Sequence, residues 1–240
     1  MRTTKTIAAF LVRSTLVCLL LAGLLMAAQP QSAFAAGVVG TGSAASCTET
    51  ALHSAAAAGG TITFNCGSQP VTIKLTRQVE LKKDTIVDGG NLVTLSGQGR
   101  VRVFYVFGST VTLRNLTVRD GYSDTGGGVR VVYYGNLIVQ NVKFYDNDST
   151  AGRDEEGGGA ISMHLGTLRV ENSHFEGNRG INGGAIHNLL CPATIINSTF
   201  INNDSTVGGI ASGSWDGRFG FGAPFTPTAP ARKTMSPGSW

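Results

Sequence analysis

The sequence predicts an all-β chain folded as a right-handed parallel β-helix, a solenoid, with a short N-terminal capping helix. Three observations carry that expectation. A segment N-x-x-F-x-x-N recurs in the second half of the chain, a run of glycines follows each copy, and the intervening strands are short and β-branched. Repeats of this length mark stacked units that cannot bury their apolar sides alone. With no amphipathic stretch of helical length between the strands, helical repeats and strand-helix-strand crossovers are excluded.

The leader comes first. Arg2, Lys5 and Arg13 precede an apolar run over residues 16–28, and Ser32-Ala33-Phe34-Ala35-Ala36 supplies small residues at cleavage spacing. This predicts a secretory signal peptide over residues 1–36. The apolar run is shorter than the roughly 20 residues that span a bilayer, so no transmembrane segment is expected in the mature chain. Cys18 follows Val17 and so lacks the small residue that precedes a lipidated cysteine.

Removing the leader takes away three basic side chains and no acidic ones, leaving 16 Lys+Arg against 15 Asp+Glu from the 19 and 15 of the whole chain. That near-neutral balance, without a basic cluster, gives no electrostatic footprint for nucleic acid. About 204 residues remain (240 less 36), enough for one β-helix domain, expected over residues 37–212.

At the start of that domain, Ser46 and Glu49 have capping-box spacing ahead of an Ala-rich stretch ended by Gly59-Gly60. This predicts a cap helix over residues 46–58, lying across the open end of the first coil. Strands follow at residues 61–64, 71–75, 85–87, 92–95 and 101–107, with Asp88-Gly89-Gly90 read as a turn. Three cysteines lie beyond the leader. Cys47 and Cys66 bracket the helix and first strand and are the expected disulfide, worth about 3 kcal/mol through the unfolded chain. Cys191 is then a buried thiol or, as the lesser alternative, an intermolecular partner.

The repeat region is expected over residues 110–212. Its copies occupy residues 137–147, 168–178 and 195–203, with an irregular one around Asn115 in which Val118 takes the Phe place and Gly121 the second Asn place. The first Asn recurs after 26, 31 and 25 residues. Each coil should stack about 4.8 Å above the last. Phe144, Phe175 and Phe200 should then form an inward stack, and Asn115, Asn141, Asn172 and Asn197 a turn ladder bonded coil to coil. After Ser212 the repeat stops. Residues 213–240 carry Pro224, Pro227, Pro230 and Pro237 and read as an irregular tail, with no regular structure expected from 215 to 240; a truncated chain and an irregular cap formed by Trp215, Phe219, Phe221 and Phe225 are both open readings.

The pairing of G-G-A-I with F-x-x-N, as in Gly183-Gly184-Ala185-Ile186 and Phe175-Glu176-Gly177-Asn178, resembles the repeats of polymorphic outer-membrane proteins. More widely the chain is similar to the pectate-lyase-like superfamily. The resemblance implies a right-handed β-helix acting as a passenger at the cell surface, often in adhesion. The translocating β-barrel of the self-exporting members has no counterpart in these 240 residues.

For chemistry, the N-T-D and R-I-K strings of pectin hydrolases are absent, so no catalytic residue is assigned. Asp120 and Asp146 each follow a first Asn by five positions and should meet on adjacent coils. With Asp148 they form the candidate Ca²⁺ site, the one cofactor considered. The competing reading is a solvated turn, since position seven after the Asn runs Tyr122, Asp148, Arg179, Asp204, a ladder of opposite charges. The longer second coil places Asp154, Glu155 and Glu156 in a protruding loop, the candidate binding loop. His164, His174 and His187 occupy non-equivalent coil positions and are not expected to share a metal. The reading is a secreted or cell-surface protein with a structural, adhesive or glycan-binding role and an extracellular ligand such as a polysaccharide. The alternative is a polysaccharide lyase or hydrolase of the pectate-lyase-like class.

Overall fold

A computed structural model describes residues 36–151, 157–205 and 233–235. In chain order the elements are β1 (Ala36–Val39), α1 (Glu49–Ala58), β2 (Gly60–Phe64), β3 (Val71–Lys74), β4 (Val79–Leu81), β5 (Thr85–Ser96), β6 (Phe104–Phe107), β7 (Thr110–Arg119) and β8 (Val129–Val132). They continue as β9 (Asn136–Tyr145), β10 (Ile161–His164), β11 (Thr167–Glu171), β12 (His174–Glu176), β13 (Ile186–Leu189), β14 (Ala193–Ile196), β15 (Thr199–Ile201) and β16 (Lys233–Met235). The strands from β1 to β15 pair in parallel, each with its equivalent one coil away. The chain is a parallel β-helix of about six coils. One sheet runs β1-β2-β5-β7-β9-β11-β14, and the other β4-β6-β8-β10-β13.

The long strands turn a corner without breaking their ladder. In β9 the buried residues are Leu137, Val139, Val142 and Phe144, so the strict alternation of a flat strand slips by one residue at Asn141. Asn141 has φ 54°, a left-handed conformation that its short polar side chain tolerates. Asn91, Asn115, Asn172 and Asn197 occupy equivalent corners with φ between 48° and 64°. Asp88-Gly89-Gly90, expected as a turn, therefore lies inside β5. The two strands expected at 85–87 and 92–95 are one, because Gly90 and Asn91 make the corner at φ 58° and 64° while pairing to β7 resumes at Val93.

The expected aromatic stack is present. Phe144, Phe175 and Phe200 pair in register, with Val118 below Phe144. The expected asparagine ladder is only partly where it was placed. Asn141 donates through Nδ2 to Oδ1 of Asn115 at 2.9 Å and of Asn91 at 2.8 Å, both exposed. The buried amide ladder is the second Asn of the motif. Nδ2 of Asn147 donates to Oδ1 of Asn178 at 2.9 Å, and Nδ2 of Asn178 donates to Oδ1 of Asn203 at 2.8 Å. The difference is one of burial: Asn147 and Asn178 have no exposed surface, so their amides must be paired inside the coil.

α1 packs Leu52 and Ala56 against β1 and β4, the terminal strands of the two sheets, which is where a cap belongs. Its N-cap is Thr48, which accepts from the Ala51 N–H at 3.2 Å, rather than Ser46, which lies in a preceding 3₁₀ turn. Glu49 is consequently free of a capping box and accepts from the backbone N–H groups of Thr76 and Arg77 at 2.7 and 3.1 Å, tying the cap to the first coil. Cys47 and Cys66 form the disulfide, with Cα atoms 5.6 Å apart, and Cys191 is a free, buried thiol.

Ala36, the last residue of the expected leader, is the first residue of β1, which pairs with β2. The tail expected to lack regular structure contains β16, antiparallel to β14 with Ala193 opposite Met235. β14 is the last parallel strand of its sheet, and β16 pairs along its outer edge, where the exposed N–H and C=O groups accept a strand of either direction. The glycine step at Gly208-Gly209 and the aromatics Trp215, Phe219, Phe221 and Phe225 lie outside the described residues.

Candidate functional site

The second corner of each coil, where the chain leaves the face carrying β12 and β15, brings the expected acidic residues together. Gln98, Asp120 and Asp146 hold left-handed φ values of 57°, 51° and 53° there, a conformation open to residues with short or polar side chains. Just beyond them Tyr122, Asp148, Arg179 and Asp204 bridge in register from coil to coil, the order expected from position seven. An open cleft of about 490 Å³ results, lined by Gln98, Gly99, Asp120, Gly121, Tyr122, Asp146 and Asp148.

Its charges are already partnered. Arg119 spans two rungs, with Nε 2.8 Å from Oδ2 of Asp120 and Nη2 3.4 Å from Oδ2 of Asp146. Ser96 donates its hydroxyl to the same Asp120 oxygen at 3.0 Å. Asp148 accepts from the N–H and hydroxyl of Thr150 at 2.7 and 2.6 Å, and from Arg179 Nη1 at 3.4 Å. The three carboxylates proposed as calcium ligands thus share a cleft but do not converge. Among the described residues no group of three His, Cys, Asp or Glu side chains is disposed to hold a metal ion. The cation that lies nearest Asp120 and Asp146 is the half-exposed Arg119 guanidinium.

What the cleft offers is a mixed set of donors and acceptors beside a phenol. Carboxylate oxygens without a second partner, the Arg119 guanidinium, the Gln98 region and the half-exposed Tyr122 ring line one open wall. Such a wall can hydrogen-bond a polyhydroxylated ligand and stack against it. Asp154, Glu155 and Glu156, the expected binding loop, lie outside the described residues.

A second polar cluster lies on the outer face of β8, β10 and β13, and sequence reasoning missed it. Arg130, Ser162 and His187 align in register there, with Arg130 donating to the Ser162 hydroxyl and His187 Nδ1 3.5 Å from it. His187 is buried, and its pKa falls to about 4 through burial, Arg130 and His164 in that order. Burial likewise pushes the Cys191 thiol up to about 11, leaving it un-ionised and unreactive. His164 and His187 are therefore neighbours, whereas His174 sits on another face against Glu176 at 2.9 Å. Ser162 has no exposed surface, so no substrate reaches it. The signal was available: all three residues follow the aligned Val129, Ile161 and Ile186 by one position.

Arg102 was also missed. Its guanidinium donates to the Thr125 and Gly126 carbonyls, Gln78, Ser123 and Asp124, and lies 5.6 Å from the Tyr105 ring centroid. Burial lowers its pKa against the pull of Asp124. With its donors used in pinning the 123–126 loop, it serves the fold.

No profile of a known protein family matches the chain, and no solved structure matches it. The chain is similar to a Dictyostelium discoideum protein described as metabotropic glutamate receptor-like protein R, at 28% identity over 114 residues, 48% of this chain. The matched stretch spans 7% of that protein's length.

Proposed function

We propose that this parallel β-helix is secreted or displayed at the cell surface and binds glycan through the corner cleft around Asp120, Asp146 and Tyr122. The leader-like residues 1–36 support export. The resemblance of its repeats to those of polymorphic outer-membrane proteins supports a passenger-like, adhesive role. Among the described residues no helix is long and apolar enough to cross a membrane.

The observation that carries the glycan reading is the Arg119 bridge between Asp120 and Asp146. It sets a guanidinium donor between two carboxylate acceptors, an arrangement that suits hydroxyl groups. The test is a panel of neutral and acidic polysaccharides, assayed both for retention of the protein and for product release. Retention on at least one glycan, reduced by Arg119→Ala and by Asp146→Ala, is expected. Calcium-dependent release of unsaturated products from polygalacturonate, abolished by Asp146→Ala, would replace this reading with a lyase.

A further inference from the structure

Read up the stack, the left-handed positions of the second corner are Gln98, Asp120, Asp146, Gly177 and Asn202, with φ values of 57°, 51°, 53°, 67° and 51°. Four of them carry a polar side chain and Gly177 carries none. The backbone angle alone does not call for that glycine, because Asn202 holds a similar angle one coil on and asparagine tolerates it. What sets the position apart is Asp146 on the coil before. A Cβ built on Gly177 would stand 2.6 Å from Asp146 Oδ1, closer than a non-bonded carbon and oxygen approach. Asp146 thus leans over the next coil, into space that a side chain at position 177 would fill.

That lean coincides with the open acceptor of the cleft. Asp120 has both oxygens engaged, Oδ2 by Arg119 Nε at 2.8 Å and the Ser96 hydroxyl at 3.0 Å, and Oδ1 by Arg119 Nη2 at 3.4 Å. Asp148 is engaged at both as well, Oδ1 by Thr150 and Oδ2 by Arg179. Asp146 Oδ2 accepts from the same Arg119 nitrogen at 3.4 Å, but among the described residues no donor reaches its Oδ1. Its side chain is 59% exposed, against 33% for Asp120. Of the carboxylate oxygens that line the cleft, Asp146 Oδ1 is the one left to a ligand.

We propose that Gly177 is a positioning residue of the glycan cleft: having no side chain, it admits the lean of Asp146 that leaves Oδ1 open, and that oxygen accepts an O–H or N–H donor of the bound sugar. The proposal rests on the glycan reading given above and narrows it. A carboxylate only accepts, so Oδ1 bonds hydroxyl and ammonium groups and repels the carboxylate of a uronic acid. The ligand class is accordingly a neutral or amino polysaccharide, with a hydrogen-bond donor as the shared chemistry. A side chain at position 177 would push Asp146 aside or, as an amide, donate to Oδ1 itself, as the buried asparagines 147, 178 and 203 do to one another. Either way the free acceptor is lost. Asparagine does this without straining a left-handed backbone.

The test is calorimetric titration of the full chain with xylan fragments, glucosamine oligomers and galacturonate oligomers. The parent is expected to bind one or both of the first two, and galacturonate at least about tenfold more weakly. Preference for xylan fragments assigns a hydroxyl to Oδ1, and preference for glucosamine an ammonium. Gly177→Asn should keep the β circular-dichroism signature and the melting temperature of the parent yet lose about tenfold in affinity, as should Asp146→Ala. Added to Asp146→Ala, Gly177→Asn should change nothing more, because the glycine acts through that carboxylate. Asp146→Glu keeps the charge but moves it, testing the lean without touching the glycine, and should weaken binding too. Asn202→Gly, at the same corner one coil on, should not. Full affinity in Gly177→Asn or in Asp146→Glu, an undiminished effect of Gly177→Asn on the Asp146→Ala background, or galacturonate bound as tightly as the others would overturn the inference and leave the glycan reading standing. A parent that binds none of the three would sink the glycan reading and the inference with it.

Discussion

The ring of Phe175 lies 4.7 Å from that of Phe144 and within 6° of parallel, and neither ring has exposed surface. Phe200 continues the stack at 4.6 Å. Phe175 is the middle of the three, so truncating it opens a cavity that neighbours on both coils line. Phe175→Ala should destabilise the fold by about 3–5 kcal/mol. His174→Ala, on the outward side of the same strand, removes only a partly exposed contact to Glu176 and Tyr145 and should cost under about 1 kcal/mol. Chemical denaturation of the two variants checks this; equal midpoints would mean that inward and outward positions have been exchanged.

Asn178 should prove nearly as important as the aromatic beside it. Its Oδ1 accepts from both the backbone N–H and Nδ2 of Asn147, at 3.1 and 2.9 Å, and its Nδ2 donates to the Phe144 carbonyl at 3.1 Å. Asn178→Leu matches the side chain in size but strands the buried Asn147 donors. Unsatisfied buried groups cost about 1–3 kcal/mol each, so a loss of at least about 2 kcal/mol is expected. Asn141→Leu loses the exposed Asn115 and Asn91 bonds and a left-handed corner instead. Comparing the two melts with that of Asn141→Gly, which keeps the backbone conformation, separates ladder from corner.

The sequence makes the stack and the period legible because Phe and Asn recur at fixed offsets and stacking multiplies each residue's effect. Which Asn is buried is not legible from the motif, since both positions carry the same side chain; only the one-residue slip at Asn141 decides it. The acidic corner is foreseen through Asp120 and Asp146, but the reach of Arg119, one residue before, to both rungs is not, because the motif spacing does not tell where its long side chain lies. β4, a three-residue strand, and β16, set in a proline-rich context, offer too little pattern to be read. The left-handed φ of Tyr133, Tyr134, Leu165 and Leu190 is not read from the sequence, because bulky side chains do not ordinarily mark that conformation.

Cys47 sits just before α1 and Cys66 just after β2, so their bridge holds the cap to the first coil. Cys66→Ser should lower stability by about 3 kcal/mol, most of it through a freer unfolded chain. Because α1 shields the terminal strands β1 and β4, the loss should appear first as faster amide exchange in those strands, with the Phe144–Phe175 region protected. Uniform acceleration across all coils would show instead that the solenoid unfolds as one unit.

The pH dependence of stability should carry the mark of His187. In the folded chain its pKa is held down to about 4 by burial, then by Arg130 and His164, while in the unfolded chain it returns to about 6.5. Between those values the unfolded state binds a proton that the folded state refuses, so stability falls as pH drops through that window and rises again on the way up. The contribution is about 3 kcal/mol, fully present above pH 6.5 and gone below pH 4. Carboxylates act in a lower window. Asp88 is the example: burial alone would raise it, but the Asn115 amide, the Gly90 N–H and Arg114 prevail and lower it, so its stabilisation is lost only as pH falls below the ordinary carboxylate range. The two contributions are thus separable by where the curve bends. His187→Gln should flatten the stability profile between pH 6.5 and 4 and leave the steeper acid limb in place, as read by urea midpoints across that range; a His187→Gln profile parallel to the parent's throughout would mean that the imidazole titrates normally and is reached by water.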